Sequence, residues 1–269
     1  MKAFLKRFMP KRVWWFFRGL FGWRWFDGNF SSWQEAEAAS SGYDDELIAQ
    51  RVLKATTEVR EGRAAFERDG ITFATYVPEP GLTAAFEFIA TEAGQIGSVL
   101  DFGGALGTTY WRHRSQWVKL GLERWDVVEQ PVFLRVAETG WDERLSFFPS
   151  VEAAEQVRRH TVLLASGSVQ YLPCPRESLV EWMSCGFDWI VLNNLPLHRS
   201  GPDRIALQCV PPEIYPASYP VRFFNRAGFL DLFAGRYEMV AEFASEAEWQ
   251  VGYQRYASTG LLLKRKARR

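Results

Sequence analysis

The sequence is poor in cysteine and histidine, which limits the metal and redox chemistry open to it. Among 269 residues there are three cysteines, an odd number with no Cys-x-x-Cys pair. Neither a disulfide framework nor a zinc site is therefore indicated, and a reducing compartment fits best. The three histidines are far apart in sequence. We predict no metal centre and a cytoplasmic protein.

The chain also lacks net charge, but its charges are unevenly distributed. There are 32 basic and 32 acidic residues, and residues 1–26 carry seven of the basic ones and no acid. The rest of the chain is therefore acidic, with 25 basic against 32 acidic side chains. An acidic body argues against nucleic acid as a partner.

Long apolar runs are missing from residues 1–26, although this segment is rich in aromatic residues. Its longest uncharged apolar run is Val13–Phe17, far short of the ~20 residues that span a bilayer. No small-residue cleavage site follows, so a signal peptide is not indicated either. A basic segment containing four of the twelve tryptophans suits an anionic membrane surface. It equally suits a cover for the folded domain or for a partner subunit, and both interpretations stay open.

The most informative stretch is Val99–Gly107, where a short apolar run ends in Asp101 and breaks into glycines. The run is too short for a helix, and glycines precede it, so a buried strand is favoured. The glycines let the backbone approach a ligand closely. A helix over Thr108–Lys119 is expected to follow, with its N-terminal amides facing the same ligand.

The spacing of these glycines and the acid beside them indicate which ligand is bound. Counted from Gly103, the third and sixth positions of a dinucleotide fingerprint hold Ala105 and Thr108, and no Gly-Lys-Ser/Thr ending is present. Asp101 suits a cation better than a pyrophosphate. S-adenosylmethionine, which carries an ammonium and a sulfonium, fits these requirements, and a dinucleotide-dependent enzyme is disfavoured.

A second acid supports this prediction. Trp125–Gln130 is another short apolar run that ends in a carboxylate, Glu129, which follows Gly107 by 22 residues. An acid at about this distance, at the end of the next strand, can accept both ribose hydroxyls. The alternative is that both acids are solvated strand ends around a structural turn.

Apolar runs alternate with helical periodicity along most of the chain. This pattern predicts an α/β fold with a mostly parallel sheet and helices on both faces. Residues 236–244 and 260–263 are expected to form an antiparallel hairpin at one edge. We divide the chain into a basic aromatic segment (1–26), a helical N-terminal region (27–95) and a cofactor-binding domain (96–269).

Two loops at strand ends are predicted to wall the site on the cofactor side, 165–171 and 193–199. They carry two candidate catalytic residues. His198 is a possible base for a hydroxyl acceptor, and Tyr171 is a possible group to orient it. Ordinary structural roles for both side chains remain open.

Several segments together resemble a family of S-adenosylmethionine-dependent methyltransferases associated with bacterial surface-polysaccharide biosynthesis. The resemblance covers nearly everything from Phe26 onward. It rests on Phe26–Trp33, Ser41–Tyr43, the glycine loop at 101–107, Val128–Gln130, Ser166–Leu172 and parts of 208–220.

The resemblance implies a class I, Rossmann-like methyltransferase fold. It also implies that Asp101, Gly103 and Gly107 lie on the methionine part of the cofactor and that Glu129 lies on the ribose. One departure concerns the acceptor, because Asn193 and Asn194 replace the Asp-Arg pair that usually follows the fifth strand of the family.

We therefore predict methyl transfer to a hydroxyl of a sugar or lipid-linked saccharide at the inner face of the plasma membrane. The alternative is a catalytically inactive protein of the same fold that recruits partners at the membrane surface. The predicted cofactor site comprises Asp101, Gly103, Gly104, Gly107, Glu129, Gln130 and Ser166.

Overall fold

The computed structural model describes residues 25–42, 45–137, 141–211, 217–247, 249–251 and 254–267. Apart from a short 3-10 helix at Val169–Tyr171, the helices are α1 (Trp33–Ala39), α2 (Asp45–Arg60), α3 (Pro80–Ala93), α4 (Thr108–Lys119), α5 (Pro131–Val136), α6 (Val151–Val157), α7 (Pro175–Cys185) and α8 (Arg226–Leu230). The strands are β1 (Phe26–Phe30), β2 (Phe66–Arg68), β3 (Ile71–Phe73), β4 (Gly97–Phe102), β5 (Leu122–Val128), β6 (Leu145–Phe148), β7 (Val162–Ser166), β8 (Trp189–His198), β9 (Arg204–Val210), β10 (Ala217–Asn225), β11 (Tyr237–Ala244), β12 (Trp249–Val251) and β13 (Gln254–Arg265).

Five parallel strands form the half of the sheet that positions the candidate site. Their order is β6-β5-β4-β7-β8, which is the 3-2-1-4-5 order of a Rossmann-like fold. Apolar side chains of α3 and α4 cover one face, and those of α6, α7 and α8 cover the other. The strand order reverses between β4 and β7, so the switch point lies directly beyond Asp101. This part of the α/β prediction is confirmed.

The prediction of a mostly parallel sheet is wrong for the rest of the molecule. Strands β8, β13, β12, β1, β9 and β10 are each bonded to the next, and β10 pairs again with β8, so the six close into a barrel. Most of these pairings are antiparallel. Aromatic rings fill the barrel, with Phe26 against Trp249 at 5.2 Å and Phe223 against Tyr256 at 4.5 Å between centroids.

Two long strands belong to both the sheet and the barrel. The first residues of β8 pair with β7, and its last residues pair with β10 and β13. The predicted loop at 193–199 is therefore wrong, because β8 continues to His198. Asn194 bends the strand with a left-handed φ of 56°, and the register of β13 shifts opposite it, between Thr259 and Leu261. The expected pairing of the late strands is confirmed, since β11 is an edge strand antiparallel to β13.

The expected helical N-terminal region is only partly helical. It contains α1, α2 and α3, but it also contributes β1 to the barrel and a two-stranded hairpin formed by β2 and β3. Helix α2 packs Ala49 and Val52 against Leu106 of the glycine loop. This region therefore packs against the glycine loop. The basic aromatic segment lies outside the described residues except for its last two, Trp25 and Phe26.

No helix in the described ranges combines the length and the apolar character needed to cross a membrane.

A buried histidine ties β5 to the segment that leads into β7. His160 is 4% exposed, with Nε2 2.9 Å from the carboxylate of Asp126 and Nδ1 2.6 Å from that of Glu155. Carboxylates only accept hydrogen bonds, so both ring nitrogens must carry hydrogen and the imidazole is charged. Burial alone would lower the pKa of His160, but the hydrogen bonds and charges of the two acids outweigh it and raise the pKa.

The stability of the protein is expected to depend on this charged imidazole. His160→Gln removes the buried cation beside Asp126 and leaves Arg158 Nε, 3.1 Å from the same carboxylate, as its charged partner, so we expect a loss of about 2 kcal/mol in unfolding free energy at about pH 6. A pKa that is raised in the folded state stabilises the protein at pH values below the unfolded-state pKa. This stabilisation disappears as pH rises through the folded-state pKa, so the loss caused by His160→Gln shrinks toward about pH 9. Urea unfolding at both pH values measures it. His198→Gln is the matched control, and we expect it to lose less than about 1 kcal/mol. An equal loss for His160→Gln at both pH values would contradict a charged His160 imidazole.

Candidate cofactor site

The glycine loop turns tightly between β4 and α4. Gly103 has φ of 71°, and its N–H donates to the carbonyl of Val128 at 2.9 Å, which joins the loop to the end of β5. A Cβ at Gly103 would lie 2.6 Å from Cβ of Ser168. Gly107, with φ of 86°, directly precedes α4. Gly103 therefore requires glycine, whereas the positive φ at Gly107 favours it.

Asp101 lies buried beneath this loop. It is 1% exposed; Trp125 Nε1 donates to Oδ2 at 3.1 Å, whereas Oδ1 has no hydrogen-bond partner among the described residues. A Cβ at Gly104 would lie 2.4 Å from Oδ2, so the backbone sits directly on the carboxyl group. Burial raises the pKa of Asp101 to about 7, the Trp125 hydrogen bond opposes this, and the charge of Glu129 adds to it. A carboxyl group with this pKa is partly protonated near neutral pH.

Glu129 lies at the same edge, directly after β5. Its N–H donates to the carbonyl of Phe148 at 3.1 Å, and its half-buried carboxylate accepts from the N–H of Gln130 at 2.9 Å. Because Val128 holds Gly103, Glu129 and the glycine loop are fixed to each other. The structure thus brings Asp101, the three glycines and Glu129 together at the switch point, with the exposed Gln130 beside them.

Ser166 ends β7 at this edge, but its hydroxyl is engaged with neighbouring side chains. It accepts from Nδ2 of Asn193 at 3.1 Å and lies 3.4 Å from Nδ2 of Asn194. Ser168, which sequence reasoning missed, closes the loop from the other side by donating to the carbonyl of Phe102 at 2.8 Å. The feature of the sequence that could have indicated Ser168 is Gly167, which turns the chain back toward Gly103.

The asparagine pair holds a covering segment in place. Ser245 Oγ donates to Oδ1 of Asn193 at 2.6 Å, and the N–H of Ala247 donates to Oδ1 of Asn194 at 3.2 Å. Residues 245–247 are consequently held against the middle of β8, at the level of the carboxyl end of β7. Asn193 and Asn194 thus have a structural role in positioning this segment.

The two candidate catalytic residues are positioned differently from the sequence-based expectation. Asp101 of β4 lies level with Leu164 of β7, which lies level with Val191 of β8. His198 follows Val191 by seven residues, so it lies up to about 23 Å further along β8. His198 lies in the barrel, with Nδ1 2.9 Å from the carbonyl oxygen of Ser200. The structure therefore does not bring His198 to the glycine loop.

Tyr171 lies in the 3-10 helix after β7 and faces the barrel. Its hydroxyl is 2.5 Å from Oε1 of Gln208, and its ring meets Tyr219 edge-on at 5.5 Å. It thus connects the segment after Ser166 to β9 and β10.

A second buried acid beside the loop was missed. Glu67 of β2 is 2% exposed; it accepts hydrogen bonds from the hydroxyl of Thr108, the residue after Gly107, and from the N–H of Gly70 at 3.2 Å. Burial raises the pKa of Glu67 to about 7. The Asp69-Gly70 dipeptide, a common hairpin turn, could have predicted the hairpin but not its position against α4.

No group of three or more His, Cys, Asp or Glu side chains in the described part of the chain is arranged to bind a metal ion.

Comparison with known proteins gives matches among solved structures alone, since no family model and no curated protein matches the sequence. One similar structure is the Burkholderia thailandensis 1,6-didemethyltoxoflavin-N1-methyltransferase bound to S-adenosylhomocysteine, 14% identical over 84% of this chain and 92% of that one, with a TM-score of 0.46. Another is CalS10, an amino pentose methyltransferase from Micromonospora echinaspora with bound S-adenosylmethionine, 12% identical over 70% and 91%, with a TM-score of 0.44. A Clostridium acetobutylicum S-adenosylmethionine-dependent methyltransferase is 11% identical over 70% and 92%, with a TM-score of 0.44. Likenesses this weak assign neither a reaction nor a substrate to this chain.

The close contact between Gly104 and Asp101 predicts that a side chain at position 104 destabilises the protein. Gly104→Ala pushes a methyl group into the carboxyl group, so we expect a loss of about 1–3 kcal/mol in unfolding free energy from overpacking. Gly235→Ala is the matched control, because nothing lies within 4 Å of a Cβ there, and its effect should stay within about 0.5 kcal/mol. Urea unfolding measures both variants. Equal stability of the two would show that the backbone does not press on Asp101.

Proposed function

We propose that the protein is a class I methyltransferase that uses S-adenosylmethionine as its cofactor. The observation that carries this proposal is the buried Asp101 carboxyl, which has an oxygen without a described partner and lies beneath a glycine loop at the switch point of the sheet. In a Rossmann-like fold this crevice is the ligand site. A buried acid without a cation is costly, and a cationic cofactor supplies the missing partner.

In this proposal, different residues around the crevice contact different parts of the cofactor. Asp101 faces the ammonium group, the backbone of Gly103, Gly104 and Gly107 allows close approach, and Glu129 accepts the ribose hydroxyls, with Gln130 and Ser166 at the margins. When bound, S-adenosylmethionine supplies an electrophilic methyl group. The task of the protein is then to hold and orient the acceptor.

For the acceptor we propose a hydroxyl of a sugar or a lipid-linked saccharide of surface-polysaccharide biosynthesis. This rests on the resemblance of the sequence to that methyltransferase family. Tyr171, in the segment directly after β7, remains the proposed residue to orient the acceptor. His198 can serve as its base only for an acceptor that reaches the barrel.

We further propose that the protein works in the cytoplasm at the inner face of the plasma membrane. The support is the basic aromatic composition of residues 1–26, which suits contact with anionic lipid headgroups.

Calorimetric titration with S-adenosylmethionine and S-adenosylhomocysteine tests the cofactor proposal. We expect micromolar binding that weakens at least tenfold in Asp101→Asn and Glu129→Gln, because each loses a charged partner of the ligand. Asp188→Asn, on an exposed ion pair with Arg265, is the matched control and should bind as the wild type does. No heat and no thermal shift with either ligand would instead favour the inactive, partner-recruiting protein.

The same titration has an expected pH dependence. The pKa of Asp101 is about 7 in the free protein, and the ionised form binds a cation. Between about pH 6 and pH 8 the ionised fraction rises, so affinity for S-adenosylmethionine should increase up to about tenfold. Asp101→Asn should reduce this increase. An affinity that falls with pH would contradict the assigned role.

A further inference from the structure

The β2–β3 hairpin packs between α2 and the start of α4. At its turn, a Cβ on Gly70 would lie 3.1 Å from Cβ of Arg51 on α2. On its face, the ring of Phe66 stacks on that of Phe73 at 4.5 Å, and the guanidinium of Arg112 on α4 lies 4.3 Å from the Phe66 centroid. Packing and a cation–π contact therefore anchor the hairpin to both helices.

Glu67 is a buried acid on the part of β2 that meets α4. It is 2% exposed, and both of its carboxyl oxygens accept hydrogen bonds, Oε1 from the hydroxyl of Thr108 and Oε2 from the N–H of Gly70 at 3.2 Å. Burying a carboxyl group costs free energy unless such partners satisfy it. An apolar side chain would pack against α4 without that cost. What the acid adds at this position is the hydrogen bond between the hairpin and Thr108.

Thr108 connects this hydrogen bond to the glycine loop. It is the first residue of α4 and directly follows Gly107. The N–H groups of Thr108 and Gly107 both donate to the carbonyl of Gly104, at 3.1 and 2.9 Å. A Cβ at Gly104 would lie 2.4 Å from Oδ2 of Asp101, so the backbone held in this way is the backbone that covers the buried acid. Contacts thus connect Glu67, through the start of α4, to Asp101.

We propose that Glu67 is a positioning residue of the candidate cofactor site, which holds the glycine loop against Asp101 by fixing the Thr108 hydroxyl. Without this hydrogen bond the first turn of α4 can move, water reaches the Asp101 carboxyl group, and the cofactor meets a site that is less well preorganised. The effect on the cofactor rests on the proposed methyltransferase function, whereas the position of the loop does not.

The titration of Asp101 tests the position of the loop without any ligand. Burial raises the pKa of Asp101 to about 7, the hydrogen bond from Trp125 opposes this, and the charge of Glu129 adds to it. The carboxyl carbon of Asp101 is followed by NMR between about pH 5 and pH 9, and Asp101→Asn identifies its signal. Thr108→Val keeps a side chain of similar shape but removes the hydroxyl. We expect hydration to lower the midpoint by about one pH unit toward the ordinary value of aspartic acid.

Matched variants separate positioning from a general loss of stability. Thr108→Ser keeps a hydroxyl for Glu67 and should leave the midpoint of Asp101 unchanged. Thr91→Val should also leave it unchanged, because the exposed Thr91 hydroxyl donates only to the backbone of its own helix. Glu67→Leu should lower the midpoint as Thr108→Val does, and the double variant should shift it no further, since both changes break one hydrogen bond. An unchanged midpoint in Thr108→Val, or additive shifts in the double variant, would overturn the inference.

Calorimetric titration with S-adenosylhomocysteine measures the effect on the cofactor. Thr108→Val should weaken binding about fivefold, whereas Thr108→Ser and Thr91→Val should bind as the wild type does. Unchanged affinity in Thr108→Val would show that Glu67 does not position the cofactor site. A wild type that binds no ligand, together with a shifted Asp101 midpoint in Thr108→Val, would contradict the proposed function and support the role of Glu67 in holding the loop.

Discussion

The burial of one carboxyl group, that of Asp101, is the constraint on which the candidate site depends. Trp125 reaches it from the neighbouring strand, and its indole also packs in the aromatic layer with Trp117 and Phe86 beneath α3 and α4. The glycine loop must then pass directly over the acid, and this excludes a side chain at Gly104. Asp101 is therefore held by core packing on one side and covered by the backbone of the glycine loop on the other.

The barrel adds a second layer to this arrangement. Strands β8 and β13 run from the parallel sheet into the barrel, and Asn193 and Asn194 lie where β8 changes partners. The asparagine side chains fix residues 245–247 against β8 beside the carboxyl end of β7, and Glu246 joins them to Arg112. The two asparagine amides therefore hold the chain at residues 245–247 in place beside the sheet.

Local sequence patterns were sufficient to predict the helix and strands nearest the glycine loop. Helix α4 has the bounds that its uninterrupted sequence predicted, and Asp101 and Glu129 meet at one edge because consecutive parallel strands end together. The barrel depends instead on pairings of β1 with strands more than 170 residues away, which no local pattern reveals. Asn193 and Asn194 resembled the start of a loop, but pairing with β13 overrides their turn preference. Glu67 was missed because its place against Thr108 depends on hairpin packing.

A crystal structure of the protein with S-adenosylhomocysteine would test the role of Asp101 and Glu129 directly. We expect ligand density at the ends of β4 and β5, with the amino group at Asp101 and the ribose hydroxyls at Glu129. Ligand density elsewhere, or none at millimolar ligand with the loop unchanged over Asp101, would contradict it. In that case the buried acid would be a structural feature of the fold rather than part of a cofactor site.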